Sequence, residues 1–407
     1  MRTFEVAQAW SAVCEGPDAV PLESAGQRFY VMATLSGPKG TRELRFHVDT
    51  GGNTPGLMLS APAASDLGIE RVDQLPTSLK LGGKSFALPS GAGWVLGDGT
   101  AGQADYRRRK NFSAGQLGAG FLSRYLVCLD PLTKRLALAD PARVKIDPGS
   151  WPFTKLYVPE LGANRARYPF VHVGLGDRGK IFAGYMLLLD SGASSSMLET
   201  RNLEVVRGNL SSGYREGSFG DADMLGGTLK EQVQRVPELR LHTLPSVREA
   251  GQLKVEVPVG FGDFVSRPTG TFQQMFGNWS PIGIQGALGG DVLQRYRMLI
   301  DYREARLYVQ PILGSKPPSW TRVGLSVAYP KGECPVVQRV GVSNVEAARL
   351  VKPGDTLLEV GSRDACKLWH HELMEALSGE VRETRRLLLQ RSGKRVEVNV
   401  PIVQLLR

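Results

Sequence analysis

The sequence predicts a mainly β protein: two related halves in one chain, followed by a smaller α+β unit. Three observations carry that expectation. A segment near the end of the first half returns near the end of the second, each half has an apolar strand running into Asp-Thr/Ser-Gly, and the last stretch of chain matches neither half.

The repeat comes first, because a duplicated unit changes every later inference. Gly115-Gln116-Leu117-Gly118, Leu122, Arg124-Tyr125, Asp130 and Arg135-Leu136 recur as Gly286-Ala287-Leu288-Gly289, Leu293, Arg295-Tyr296, Asp301 and Arg306-Leu307, all at one offset of 171. Upstream, Arg45-Phe46-His47-Val48 leads into Asp49-Thr50-Gly51, and Met186-Leu187-Leu188-Leu189 leads into Asp190-Ser191-Gly192. Each run follows an earlier strand and turn: Phe29 to Leu35 with Ser36-Gly37-Pro38-Lys39-Gly40, and Phe170 to Leu175 with Gly176-Asp177-Arg178-Gly179. Apolar runs of this length bounded by Gly and Pro read as strands. Two homologous lobes follow, over 22–145 and 146–312. The second carries the longer insert, 99 positions from Asp190 to Gly289 against 69 from Asp49 to Gly118. Pro148-Gly149-Ser150-Trp151-Pro152 reads as the linker between them, and Gly314-Ser315-Lys316-Pro317-Pro318 as the second break.

Residues 319–407 read as a separate α+β unit. Strands are expected at Val323 to Tyr329, Pro335 to Val340, Thr356 to Val360, Arg385 to Gln390 and Arg395 to Pro401, with helices at Asn344 to Leu350 and Leu368 to Leu377.

Composition narrows the class. Hydrophobic residues make up 42% and charged residues 22%, the range of a globular chain. No apolar run approaches the roughly 18 residues of a membrane span, so no membrane span is expected. The net charge of +10 allows acidic partners, but the densest basic run, Arg107-Arg108-Arg109-Lys110, has no interleaved aromatics and reads as a solvated loop, with no nucleic-acid partner implied. Cys14, Cys128, Cys334 and Cys366 lack metal-ligand spacing and read as unpaired buried thiols rather than a disulfide framework. His370-His371-Glu372 has no further His at helical spacing and reads as a solvated helix face, and no metal site is expected. Met1-Arg2-Thr3-Phe4-Glu5 lacks the apolar stretch of a secretory signal, so the chain reads as cytoplasmic as it stands, or as periplasmic or secreted if a signal has been removed.

Two carboxylates can hydrolyse an amide if one is ionised to activate water while the other stays protonated to polarise the carbonyl. Neighbouring carboxyls a few ångströms apart cannot both hold a charge, so the pair divides these roles by itself. A duplication about a pseudo-twofold axis brings Asp49 and Asp190 together symmetrically. Gly51 and Gly192 permit the tight turn beside each Asp, and Thr50 and Ser191 supply short hydroxyls for a bracing network. His47, on the same strand as Asp49, reads as a packed core histidine.

On these residues the chain resembles the pepsin and retropepsin aspartic peptidases, and within them the bacterial single-chain members. Asp49-Thr50-Gly51 and Asp190-Ser191-Gly192 match the first family motif, and Leu117-Gly118 and Leu288-Gly289 match the second. The resemblance covers roughly residues 22 to 312. It implies two closed, barrel-like lobes, Asp49 and Asp190 as catalytic residues, Thr50 and Ser191 as the inter-lobe grip, protein or peptide substrates, no cofactor and a working monomer. It also implies a glycine-rich flap. Ala61 to Gly83 is short and lacks tyrosine, so the expected flap lies at Gly213-Tyr214-Arg215-Glu216-Gly217-Ser218-Phe219-Gly220, with Tyr214 and Phe219 covering substrate. Gly52 stands where the family commonly has Ser, Thr or Ala.

The tail resembles a PDZ domain. Val323-Gly324-Leu325-Ser326-Val327 matches its carboxylate-binding loop and first binding strand, and Leu350-Val351-Lys352-Pro353-Gly354-Asp355-Thr356 its later loop and strand. The resemblance implies that a C-terminal peptide adds as a strand along Val323 to Val327. The alternative is a catalytically silent peptidase scaffold that binds peptides through its cleft and this edge.

Overall fold

A computed structural model describes residues 2–5, 10–52, 56–71, 74–88, 93–96, 113–147, 153–161, 166–210, 214–217, 231–241, 257–267, 269–276, 283–315, 321–329, 334–341, 344–368 and 370–405. The protein is mainly β, with short helices placed between strands.

In the first half, Arg28–Gly37 and Gly40–Val48 form an antiparallel hairpin, with Tyr30 opposite His47 and Gly37 opposite Gly40. Side chains alternate along it, so Phe29, Val31, Ala33 and Leu35 enter the core together with Leu44, Phe46 and Val48. Gly115–Leu117 then inserts parallel to the second strand, Leu117 beside Val48, and antiparallel to Leu57–Ser60. The second half repeats this arrangement. Phe170–Asp177 pairs with Lys180–Leu189, and Gly286–Leu288 lies parallel to it, Leu288 beside Leu189, and antiparallel to Ser196–Glu199. Leu57–Ser60 and Ser196–Glu199 each run directly into a helix, Ala61–Leu67 and Thr200–Asn209.

The repeat extends to backbone detail. Asp130 Oδ1 accepts the N–H groups of Leu132 and Thr133, and its counterpart Asp301 Oδ1 accepts those of Arg303 and Glu304. At the next residue, Lys134 (φ 54°) and Ala305 (φ 53°) take the same left-handed conformation, a costly choice for residues with a β-carbon and one made at both equivalent positions.

The halves are joined by six antiparallel strands in the order Val20–Pro21, Arg135–Ala139, Leu126–Asp130, Tyr296–Asp301, Arg306–Pro311 and Thr154–Tyr157. At the centre, Cys128 pairs with Leu299, and 299 − 128 = 171, so equivalent residues of the two copies face each other there. One large apolar cluster spans both halves, from Phe29 and Leu57 to Leu187 and Ile300. A helical turn, Trp10–Cys14, covers the other face of the joining sheet with Trp10 and Val13 against Leu126, Leu299 and Tyr308.

The cysteine expectation is corrected here. Cys14 is disulfide-bonded to Cys128, and Cys334 to Cys366. Separations of 114 and 32 residues carry no spacing signal, and each pair meets only in the folded chain, Cys14 of the helical turn with Cys128 of the joining sheet and Cys334 with Cys366 between elements of the tail. The expected linker at 148–152, the basic run 107–110 and most of the 213–227 insert lie outside the described residues.

In the tail, Leu325–Ala328, Val336–Val340, Thr356–Val360, Thr384–Arg391 and Lys394–Pro401 form one sheet in that order, with helices Val345–Leu350 and His370–Ala376. The tail encloses its own apolar core, including Val323, Leu357, Leu373 and Leu389. Asn344 caps the first helix by accepting from Ala347 N–H, and its amide donates to Val323 O and Pro401 O. Leu405, near the end of the chain, is buried against Val233 and Val265 of the second half.

Candidate active site

Asp49 and Asp190 each lie where a strand leaves its sheet. Asp49 follows Gly40–Val48, Asp190 follows Lys180–Leu189, and their N–H groups donate to the leucine carbonyl that ends the inserted strand, Leu117 at 3.0 Å and Leu288 at 2.9 Å. Each loop is thus tied to its own sheet before the loops meet.

They meet through four reciprocal hydrogen bonds. Thr50 N–H donates to Ser191 Oγ (2.9 Å) and Thr50 Oγ1–H to Leu189 O (2.5 Å), while Ser191 N–H donates to Thr50 Oγ1 (3.0 Å) and Ser191 Oγ–H to Val48 O (2.8 Å). Both side chains are fully buried, so these bonds have no competition from water. Close approach explains the glycines. A β-carbon at Gly51 would stand 2.5 Å from Asp190 Cγ, and one at Gly192 would overlap the Asp49 carboxyl. Each carboxyl rests against the bare Cα of the opposite loop, which sets the two carboxyls side by side.

Inner donors complete the arrangement. Gly51 N–H donates to Asp49 Oδ1 (3.0 Å), and Gly192 N–H (2.9 Å) and Ala193 N–H (3.0 Å) to Asp190 Oδ1. The side-chain amide of Gln116 donates to Asp49 Oδ2. Burial pushes the Asp49 carboxyl well above the usual carboxylate range, and the charge and hydrogen bond of Asp190 push the same way, against the Gly51 N–H and the Arg28 guanidinium. Burial raises Asp190 too, opposed by its bond to Asp49, the Ala193 and Gly192 N–H groups and Arg28. Two carboxyls this close resist holding a charge each, so their titrations are linked.

The surroundings keep this charge balance local. His47 is buried, stacks on Tyr30 at 5.2 Å and is held neutral, with a pKa of about 3, first by burial and then by Arg28 and Arg45. Burial, and then the Asp49 charge, push the Tyr168 phenol up to about 12. Extending the Tyr30–His47 register by two residues sets Arg28 opposite Asp49, which accounts for the reach of its charge to the pair.

The structure therefore brings together Asp49, Asp190, Thr50, Ser191, Gly51 and Gly192. Tyr214 lies on Tyr214–Gly217, which pairs with Glu231–Leu241 as one arm of a hairpin, although its side chain lies outside the described residues, as does Phe219. In the first half, the stretch Ala61 to Gly83 holds the helix Ala61–Leu67 and the start of the hairpin Ser78–Leu81 with Lys84–Ala87. Val323, Leu325 and Val327 are buried in the tail, Ser326 is half-buried, and Gly324 turns at φ 78°. Among the described residues, Leu325–Ala328 pairs on one side only, with Val336–Val340.

Two neighbours of the carboxyls escaped the motifs. Gln116 sits inside Gly-x-Leu-Gly at the position the repeat leaves free, and Arg28 precedes the first apolar run; the signal for Gln116 was its replacement by Ala287 in an otherwise matched copy. No protein-family model matches the chain, and no match was found among curated proteins.

Proposed function

We propose that the protein is an aspartic-type endopeptidase in which Asp49 and Asp190 activate a water for attack on a peptide carbonyl. The observation that carries this reading is the reciprocal Thr50/Ser191 bonding that holds the buried Asp49 carboxyl and the half-buried Asp190 carboxyl beside each other. The ionised member of the pair takes a proton from the water, and the protonated member donates to the carbonyl oxygen as the tetrahedral intermediate forms. The newly protonated carboxyl then passes its proton to the leaving nitrogen while the ionised one takes back a hydroxyl proton of the intermediate, so the C–N bond breaks and the singly protonated pair is restored.

In this reading the two halves are aspartic-peptidase lobes related by the axis through Cys128 and Leu299, and the Tyr214–Gly217 hairpin is the flap of the second lobe. The tail is a PDZ-like module whose Leu325–Ala328 edge takes a peptide C-terminus and so recruits or positions protein substrates. Both half-sites lie on one chain, so a monomer suffices.

The test is hydrolysis of denatured, fluorescein-labelled casein across pH by the native chain, Asp49→Asn and Asp190→Asn. Loss of cleavage in both variants with native circular dichroism supports the reading, as does inhibition by a statine-type peptide. Near-normal turnover by either variant refutes it.

A further inference from the structure

We propose that Gln116 is a positioning residue of the carboxyl pair: its amide donates to Asp49 Oδ2, and Gly52 is the gap that admits it. The inference rests on the reading of Asp49 and Asp190 as a working pair. A β-carbon on Gly52 would overlap Gln116 Nε2, so any larger residue at 52 displaces the amide. The second half makes the opposite choice at both equivalent places. Three residues after Asp190 stands Ala193, with its β-carbon, and at 116 + 171 = 287 stands Ala287, with no amide. Small and large have exchanged together, which ties Gly52 and Gln116 into one device present in one half only.

Its effect is directional. Gly51 N–H on Oδ1 and the Gln116 amide on Oδ2 give each Asp49 oxygen a neutral donor, whereas both amide donors to Asp190 fall on Oδ1. A side-chain amide can donate here but cannot supply a proton, so Oδ2 is held as an acceptor and the ionised form of Asp49 is favoured. The other groups around Asp49 cannot replace it. Asp190 opposes ionisation, Arg28 acts on both carboxyls alike, His47 is neutral, and the Tyr168 and Tyr302 phenols stay protonated beside the Asp49 charge.

The experiment is a carbon-13 NMR titration of the Asp49 and Asp190 carboxyls in native protein, Gln116→Leu, Gly52→Ala and Gly52→Ala/Gln116→Ala, alongside pH profiles of kcat/KM on labelled casein. Loss of a hydrogen bond to a charged group raises the lower apparent pKa of the pair by about one unit and moves the acid limb up equally, about a tenfold loss below the limb. Gly52→Ala alone gives the same shift, and the double variant is no worse than either single change. An unshifted lower pKa in folded Gln116→Leu, or in the double variant should that one not fold, overturns the proposal while leaving the peptidase reading intact. Two independent, unshifted titrations in the native protein, with no cleavage of casein, overturn both.

Discussion

Replacing Thr50 by Val keeps the shape of the side chain and deletes a hydroxyl that both copies of the repeat use. Thr50 Oγ1 donates to Leu189 O and accepts from Ser191 N–H, and both partners are buried. The two neutral bonds contribute about 1 kcal/mol net each, and leaving the Ser191 N–H and Leu189 O unpaired adds about 1–3 kcal/mol, so Thr50→Val is expected to cost about 3–5 kcal/mol. Ser191→Ala removes the mirror-image pair, to Thr50 N–H and Val48 O, at a similar cost. The double variant should cost less than the sum, because the two residues bond to each other and the second change acts on loops already loosened. Urea unfolding followed by circular dichroism measures all three, with an unchanged slope showing that stability alone has moved. A loss below about 0.5 kcal/mol for Thr50→Val, or strict additivity in the double variant, would refute the idea that this grip joins the halves.

Removing the Cys14–Cys128 bond by paired Ser substitutions should destabilise the chain by about 4–5 kcal/mol in denaturant melts, more than removal of Cys334–Cys366, because it closes a loop of 114 residues against 32; equal or reversed effects would contradict this. His47, neutral when folded with a pKa of about 3 against 6.5 when unfolded, contributes stability that is full above pH 6.5 and is lost as pH falls toward 3, so His47→Phe should unfold at a lower pH than native protein in an acid titration. The carboxyl pair has the opposite sign: its raised folded values mean stability present below the unfolded Asp pKa and lost as pH rises through the folded values, so Asp190→Asn should be more stable than native at pH 7 in the same melts. Leu405→Ala should cost about 2–4 kcal/mol where the tail meets Val233 and Val265, and leave cleavage of short peptides unchanged.

The chain announces its duplication openly because strands and turns are local. The offset of 171 survives as matched Asp turns at 130 and 301, and the expected tail elements recur within a residue or two, with Thr356–Val360 as expected and Asn344 serving as the cap of its helix. The Asp loops were legible because a short motif fixes the turn and places the carboxyl at its start. The helix Ala61–Leu67 carries its own local signals, since Ser60 caps it, Pro62 lies in its first turn and Gly68 ends it at φ 74°. What no local pattern holds is partnership between distant residues. Cys14 meets Cys128, and the Gln116 amide reaches Asp49, only after the sheets assemble, so neither contact leaves a mark in spacing.

The pairing of Cys128 with Leu299 has a further consequence. Strand Leu126–Asp130 faces its own duplicate across the axis, so its backbone edge is self-complementary, and a polypeptide holding only one copy would carry an open edge able to pair with the same edge of a second molecule. In such an assembly two Cys128 thiols would stand opposite each other at the axis. In the present chain the copies differ there, Cys against Leu, and the Cys128 sulfur is engaged by Cys14 on the far face of the sheet. Fusion of the copies has thus freed the two sides of the axis to diverge.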